Sequence, residues 1–171
     1  MPQSEIPFPE RHQLRAARGW LELGNPREAE AELQSLHPDL GRHADVLELR
    51  WQIGASRRQW ETCADLGQLL TVVAPERPTG WIHRSFALHE LDRTQEAFDH
   101  LLPQVDRFPE DATMPYNLAC YASRLGRFEA ARRWLGRAFA IPGSMELSRT
   151  ARTDPDLAPY WQWLQDGELS S

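Results

Sequence analysis

The apolar positions of this chain follow a helical pattern that recurs at intervals of about 34 residues. Small residues fall at this interval four times, at Ala29, Cys63, Ala97 and Ala131. A small side chain at the same place in each period lets two neighbouring helices come into close contact. Each period therefore predicts a helix–turn–helix hairpin, and successive hairpins would bury their apolar faces against one another.

Four such hairpins are predicted, at about residues 10–43, 44–77, 78–111 and 112–145. The fourth is the clearest: Tyr116 opens its first helix, Gly126 permits the tight turn, and Phe128 opens its second helix. Pro103 falls inside the predicted second helix of the third hairpin, where it should remove a backbone donor and bend the helix.

The two ends of the chain lack the repeating pattern. Residues 1–9 contain three prolines and predict an extended or disordered arm, from which Ile6 and Phe8 can pack against the first hairpin. Residues 146–166 predict two short helices on either side of an Asp154-Pro155-Asp156 turn. Such helices would cap the apolar face of the last hairpin, and residues 167–171 would follow as a tail.

The stretches Tyr116–Tyr121 and Gly126–Ala131 closely resemble the consensus of the tetratricopeptide repeat, whose length equals the period seen here. The resemblance covers residues 10–145, and the stretch from Trp81 to Leu135 also resembles small bacterial tetratricopeptide proteins of no assigned function. It implies an all-α fold, a right-handed superhelix (α-solenoid) of four repeats with a C-terminal helical cap. It further implies a concave groove that binds a peptide or another protein.

The resemblance also indicates which residues would line this groove. They are Leu14, Arg18, Glu48, Gln52, Ile82, Phe86, His89, Tyr116, Cys120 and Arg124. Phe86 and Tyr116 would be the apolar anchors, since aromatic side chains dominate many interfaces. The alternative is that these two rings pack against the C-terminal segment or a neighbouring helix. Arg18 and Arg124 would either hold a carboxylate of the partner or pair with acids of the chain itself.

Composition narrows the range of partners. The 171 residues carry a net charge of −6, and all 19 basic residues are arginines scattered among acids. Nucleic acid is therefore not expected as a partner, since phosphate binding needs clustered basic residues.

No apolar stretch approaches the ~20 residues of a membrane span, and the first residues do not resemble a signal peptide. Two cysteines do not form a disulfide framework, so a cytoplasmic location is expected.

The chain has no pattern typical of catalysis or of a cofactor site. His83 and His89 are six residues apart, which places them on different faces of one helix, and neither cysteine has a histidine at a suggestive spacing. We therefore expect no cofactor, no metal and no enzyme activity. The predicted function is that of an adaptor or scaffold for an unidentified protein. A type III secretion-like chaperone and a self-assembling structural protein, hence a homo-oligomer, are the alternatives.

Overall fold

The computed structural model describes residues 6–166 as helices joined by short turns, without a strand in that range. The α-helices are α1 (Phe8–Glu22), α2 (Pro26–Gln34), α3 (Ala44–Ser56), α4 (Trp60–Val73), α5 (Pro78–Glu90), α6 (Thr94–Leu101), α7 (Thr113–Arg124), α8 (Phe128–Ala140), α9 (Met145–Ala151) and α10 (Trp161–Asp166). Short 3-10 helices occupy Pro38–Arg42, Leu102–Gln104 and Pro155–Tyr160. The predicted all-α class is confirmed. The predicted tail, 167–171, and residues 1–5 of the predicted arm lie outside the described residues.

The small residues that define the repeat period lie at comparable places in the helices. Ala29, Cys63, Ala97 and Ala131 lie in α2, α4, α6 and α8, and each is 0% exposed. A larger side chain at any of these positions would have to displace its neighbours. The period therefore marks positions where the core is tightly packed.

The chain forms two compact units, and the first runs to Ala87. In this unit α1 packs on α2, α2 on α3, and α3 on α4. One cluster of its core includes Ile6, Leu14 and Leu33. α1 begins at Phe8, within the segment for which the sequence predicted an extended arm, and the Phe8 side chain is exposed while Ile6 is buried.

Glycines permit an unusually close approach of α4 and α5 in the first unit. A Cβ atom added at Gly67 would lie 2.6 Å from the backbone nitrogen of Arg84 and 2.7 Å from its Cα. At the other end of the same contact, a Cβ atom on Gly80 would lie 2.9 Å from the carbonyl carbon and the Cβ of Leu70. Because these distances are shorter than real Cβ contacts, only glycine fits at either position without a shift of the helices.

The second unit begins at Leu88 and is organised around α7. Helices α6 and α8 and the 3-10 helix Pro155–Tyr160 all pack against α7, whose residues from Met114 to Ser123 are buried. The prediction that Pro103 bends a long helix was wrong, because α6 ends at Leu101 and a 3-10 turn contains the proline. That turn satisfies the conformational limits of proline without breaking a helical hydrogen bond.

Within residues 6–166, no helix combines the length and the apolar character needed to cross a membrane.

Candidate functional site

A cluster of polar side chains lies where α7 and the last turn of α5 face the C-terminal segment. Asp111 starts α7, since its Oδ1 accepts hydrogen bonds from the backbone N–H groups of Thr113 (2.9 Å) and Met114 (3.0 Å). Tyr116, Cys120 and Arg124 then follow at intervals of four residues, which keeps them on one side of the helix. With His89 of α5, these three residues form what we call the docking face.

The docking face binds the carboxylate of Asp154. The Tyr116 hydroxyl donates to Asp154 Oδ2 at 2.7 Å, and the Cys120 thiol donates to the same oxygen at 3.7 Å. The other oxygen, Oδ1, accepts from the backbone N–H of Asp156 at 3.0 Å and so caps the 3-10 helix that follows. Both oxygens of one carboxylate are therefore engaged, one by the face and one by the segment itself.

Asp156 provides a second carboxylate two residues later. His89 Nε2 lies 2.8 Å from Asp156 Oδ2 and donates to it, while His89 Nδ1 lies 3.0 Å from the Thr94 hydroxyl. The Nε atom of Arg124 lies 3.6 Å from Asp156 Oδ1. Arg124 also lies 3.9 Å from the exposed Asp92, so its charge is shared between two acids.

Apolar residues hold the same segment in place after the two acids. Leu157, Tyr160 and Leu164 are at most 3% exposed. The Tyr160 hydroxyl donates to the carbonyl of Phe128 at 3.1 Å, and the Trp161 indole donates to the carbonyl of Asp154 at 3.0 Å. Burying three such side chains stabilises the contact by about 1.5–3 kcal/mol each before ordering costs. We call Asp154–Leu164 the docked segment.

The donors of the docking face keep their protons. Burial, followed by the hydrogen bond to Asp154, raises the pKa of Tyr116. Burial, with the negative charges of Asp154 and Asp156 nearby, raises the pKa of the Cys120 thiol well above its ordinary value. Both groups are therefore hydrogen-bond donors at neutral pH, which suits them to hold a carboxylate rather than to attack a substrate.

The arrangement of His89 and Cys120 does not favour a catalytic dyad, in which the imidazole would take a proton from the thiol. Both ring nitrogens of His89 are engaged, one by Asp156 and one by Thr94, which leaves neither nitrogen to take a proton from the Cys120 thiol. Ligand atoms of Cys120, Asp154 and Asp156 do lie within 4.8 Å of one another, as in a possible metal site. The thiol is protonated, however, and the carboxylates are already hydrogen-bonded, so a metal would have to replace these bonds.

All four residues of the predicted groove that lie in the second unit meet in this docking face, although the sequence assigned them to an open groove. Tyr116 is 5% exposed, so it is not a solvent-facing anchor. It packs beneath the C-terminal segment, which is the alternative that the sequence left open. Cys120 is equally buried, while Arg124 keeps 53% of its side chain exposed.

The six predicted groove residues of the first unit have varied surroundings. Leu14 belongs to the core, and Arg18 and Gln52 are exposed. Glu48 accepts a hydrogen bond from the Thr79 hydroxyl at 2.8 Å, and Arg77 lies 3.6 Å from the same oxygen.

Two of the three apolar members of this set, Ile82 and Phe86, are half-buried. The Phe86 ring meets Trp51 and Trp60 edge to face, with ring centroids 6.2 and 5.8 Å apart. Phe86 is therefore part of an aromatic cluster of its own unit, as in the alternative stated above.

The residues predicted from the sequence to form the site do not include Asp154 and Asp156. Their turn was recognised only as a break between two capping helices. The signal was present, since an Asp-Pro-Asp turn presents two carboxylates on one short stretch of backbone. Nothing local distinguishes these acids from the other acidic residues, because their side-chain partners on the docking face lie 32 to 67 residues away.

No protein-family model matches the chain, and a search of curated proteins found no match either.

Proposed function

We propose that this chain is a non-catalytic protein-interaction module built from tetratricopeptide-type hairpins, and that its docking face recognises a segment of polypeptide. The observation that carries the proposal is that His89, Tyr116, Cys120 and Arg124 all contact a single peptide segment. A face that already holds one peptide by side-chain contacts has the donors and the shape for peptide recognition.

The helical pattern supports the class of module. Ala29, Cys63, Ala97 and Ala131 are evenly spaced along the chain and are fully buried in alternate helices, as expected for stacked hairpins of this type. The chemistry supports binding over catalysis, since the thiol of Cys120 is protonated and the imidazole of His89 is hydrogen-bonded at both nitrogens. The function is accordingly that of an adaptor or scaffold.

The test compares capture of partners by two charge-reversal variants. Arg124→Glu reverses a charge on the docking face, whereas Arg133→Glu makes the same change on the exposed side of α8. Arg133→Glu is a surface change and should alter the free energy of unfolding by only about 0.5 kcal/mol. Arg124→Glu also loses its partly exposed pairs with Asp156 and Asp92, so its cost should be about 1 kcal/mol. After cross-linking in a lysate of the source organism, we expect a partner to be lost with Arg124→Glu and retained with Arg133→Glu.

Capture that survives Arg124→Glu, or that both variants lose equally, would contradict the proposal. If the captured protein is a second copy of this chain, the module serves self-assembly, and light scattering of Arg124→Glu should then reveal smaller particles than the wild type.

A further inference from the structure

The docked segment has the features of a ligand, because each of its anchoring groups meets a complementary group of the second unit. Its first carboxylate meets two protonated donors, and its second meets an imidazole N–H and a guanidinium. Leu157 follows immediately, and Tyr160 three residues later, both buried. We propose that the docking face is specific for an acidic turn of Asp-x-Asp type followed by leucine, and that the docked segment is an internal ligand which a partner segment of the same chemistry displaces. This inference rests on the proposed function.

The preference for an acid over an amide follows from the contacts of Asp154. Its Oδ2 accepts from Tyr116 and Cys120, and its Oδ1 accepts from the backbone of Asp156. An asparagine has only one oxygen that can accept hydrogen bonds, and its NH2 group can only donate. It therefore cannot accept all three bonds, from the Tyr116 hydroxyl, the Cys120 thiol and the Asp156 backbone N–H. An amide at this position therefore leaves a buried donor or a backbone N–H unsatisfied.

The second acid position selects for charge as well as for hydrogen bonding. Asp156 is bonded by His89 at 2.8 Å and lies 3.6 Å from the Arg124 guanidinium. The Asp156 side chain is 23% exposed and the Arg124 side chain 53% exposed, so this pair lies at the rim of the contact. A partner can reach Arg124 first and then replace the internal acid, which is typical of electrostatic steering.

The docked segment is held by tertiary contacts and not by its own helical stability. The flanking helices α9 and α10 have seven and six residues, and the 3-10 helix between them has six. Isolated helices shorter than about 12 residues are marginal in water. Once its acids and apolar anchors leave the face, the segment has little structure of its own to retain, so exchange with another peptide requires no rearrangement of α7 or α8.

A tethered ligand competes strongly, since short tethers give effective concentrations on the order of millimolar. The binding experiment therefore weakens the internal ligand without altering the face. The full-length protein carries Asp154→Asn together with Asp156→Asn, and the probe is a fluorescent synthetic peptide with the sequence of residues 152–164. Fluorescence anisotropy measures its affinity, and Glu146→Gln, an exposed acid of α9, is the matched control.

We expect the double variant to bind this peptide at least about tenfold more tightly than the wild type or Glu146→Gln does, since charge-assisted hydrogen bonds of the internal ligand are lost. A peptide with asparagine at both acid positions should bind none of the three proteins measurably. Alkylation of Cys120, which lies beneath Asp154, reports opening of the docked segment independently. Its rate should rise about tenfold in the double variant, while alkylation of the fully buried Cys63 stays unchanged.

Equal binding of the aspartate and asparagine peptides would overturn the proposed specificity. Failure of the aspartate peptide to bind, whether or not Cys120 reacts faster, would show that the segment is a structural cap and not a ligand. These results are distinguishable from failure of the proposed function. If Arg124→Glu still abolishes partner capture, the face binds a protein of different chemistry, and if capture is unaffected, the proposed function falls as well.

Discussion

The close approach of α4 and α5 gives a sharp test of the packing, in which one substitution has opposite effects at two sites. Gly67→Ala adds a Cβ atom 2.6 to 2.8 Å from the backbone nitrogen, Cα and Cβ of Arg84. Gly136→Ala adds the same atom in α8, where no heavy atom lies within 4 Å apart from the adjoining residues and the backbone of the helix itself. Both positions are in helix interiors, so the intrinsic preference of the helix for alanine over glycine is the same at both.

The magnitudes follow from two opposing contributions. Replacement of glycine by alanine in a helix interior gains about 0.8–1.0 kcal/mol. Overpacking costs about 1–3 kcal/mol, and Gly67 lies near the upper end because the atoms in conflict belong to backbone and cannot rotate away. We expect Gly67→Ala to lose roughly 1–2 kcal/mol and Gly136→Ala to gain roughly 0.5–1 kcal/mol in the free energy of unfolding.

Thermal and urea unfolding followed by far-UV circular dichroism measure the difference. For a chain of this size, 1 kcal/mol shifts Tm by about 2–4 °C, so the two variants should differ by roughly 3–12 °C. Gly80→Ala, which conflicts with Leu70, should also destabilise. Combined with Gly67→Ala it should cost less than the sum, since both changes push the same two helices apart. If Gly67→Ala were as stabilising as Gly136→Ala, the close contact of α4 with α5 would be refuted.

Three further predictions concern titratable and buried groups. Burial lowers the pKa of His83 from 6.5 to about 4, so the unfolded chain takes up the proton first and stability should fall as the pH drops from about 6.5 to about 4. The loss in the free energy of unfolding is on the order of 1–3 kcal/mol. His83→Gln should flatten this part of the pH profile measured by urea unfolding. If the variant keeps the same slope, the His83 ring is exposed to water in the folded protein. Burial raises the pKa of the Cys63 and Cys120 thiols. At pH 8 both cysteines should therefore react with a thiol reagent far more slowly in the native protein than after denaturation. Rapid reaction of either cysteine in the native protein would contradict its burial. Tyr116→Phe removes one donor to the Asp154 carboxylate and should cost about 1.5–3 kcal/mol in urea unfolding, and a change below about 0.5 kcal/mol would argue against that hydrogen bond.

The helices and their order could be predicted from the sequence, because the signals are local. Asn25 followed by Pro26 starts α2, with Asn25 Oδ1 accepting from the backbone of Glu28 at 3.4 Å. Gly126 adopts a φ of 71° at the turn after α7. Such residues act over three or four positions, and the repeat period presents the same information several times, so the pattern is readable without knowledge of distant contacts.

The effect of Pro103 on its helix was predicted wrongly, although the constraint that proline places on a helix holds. Proline disfavours a helix interior, and the sequence alone does not decide whether the helix bends around it or ends before it. The structure ends α6 at Leu101, since the following 3-10 turn accommodates the proline and leaves Leu101 and Val105 buried. The burial of those two apolar residues is a tertiary feature that the local sequence pattern does not report.

The sequence by itself determined that the chain is helical, where the turns between several of its helices lie, and which small residues are buried in each period. Only the tertiary structure decided that Tyr116 and Cys120 lie beneath Asp154 and that His89 meets Asp156. These pairs are 34 to 67 residues apart in the chain, so no periodic pattern links them. Their meeting depends on the path of the segment after α8, which is set by the burial of Leu157, Tyr160 and Leu164 and by the hydrogen bonds that the two carboxylates form with the docking face.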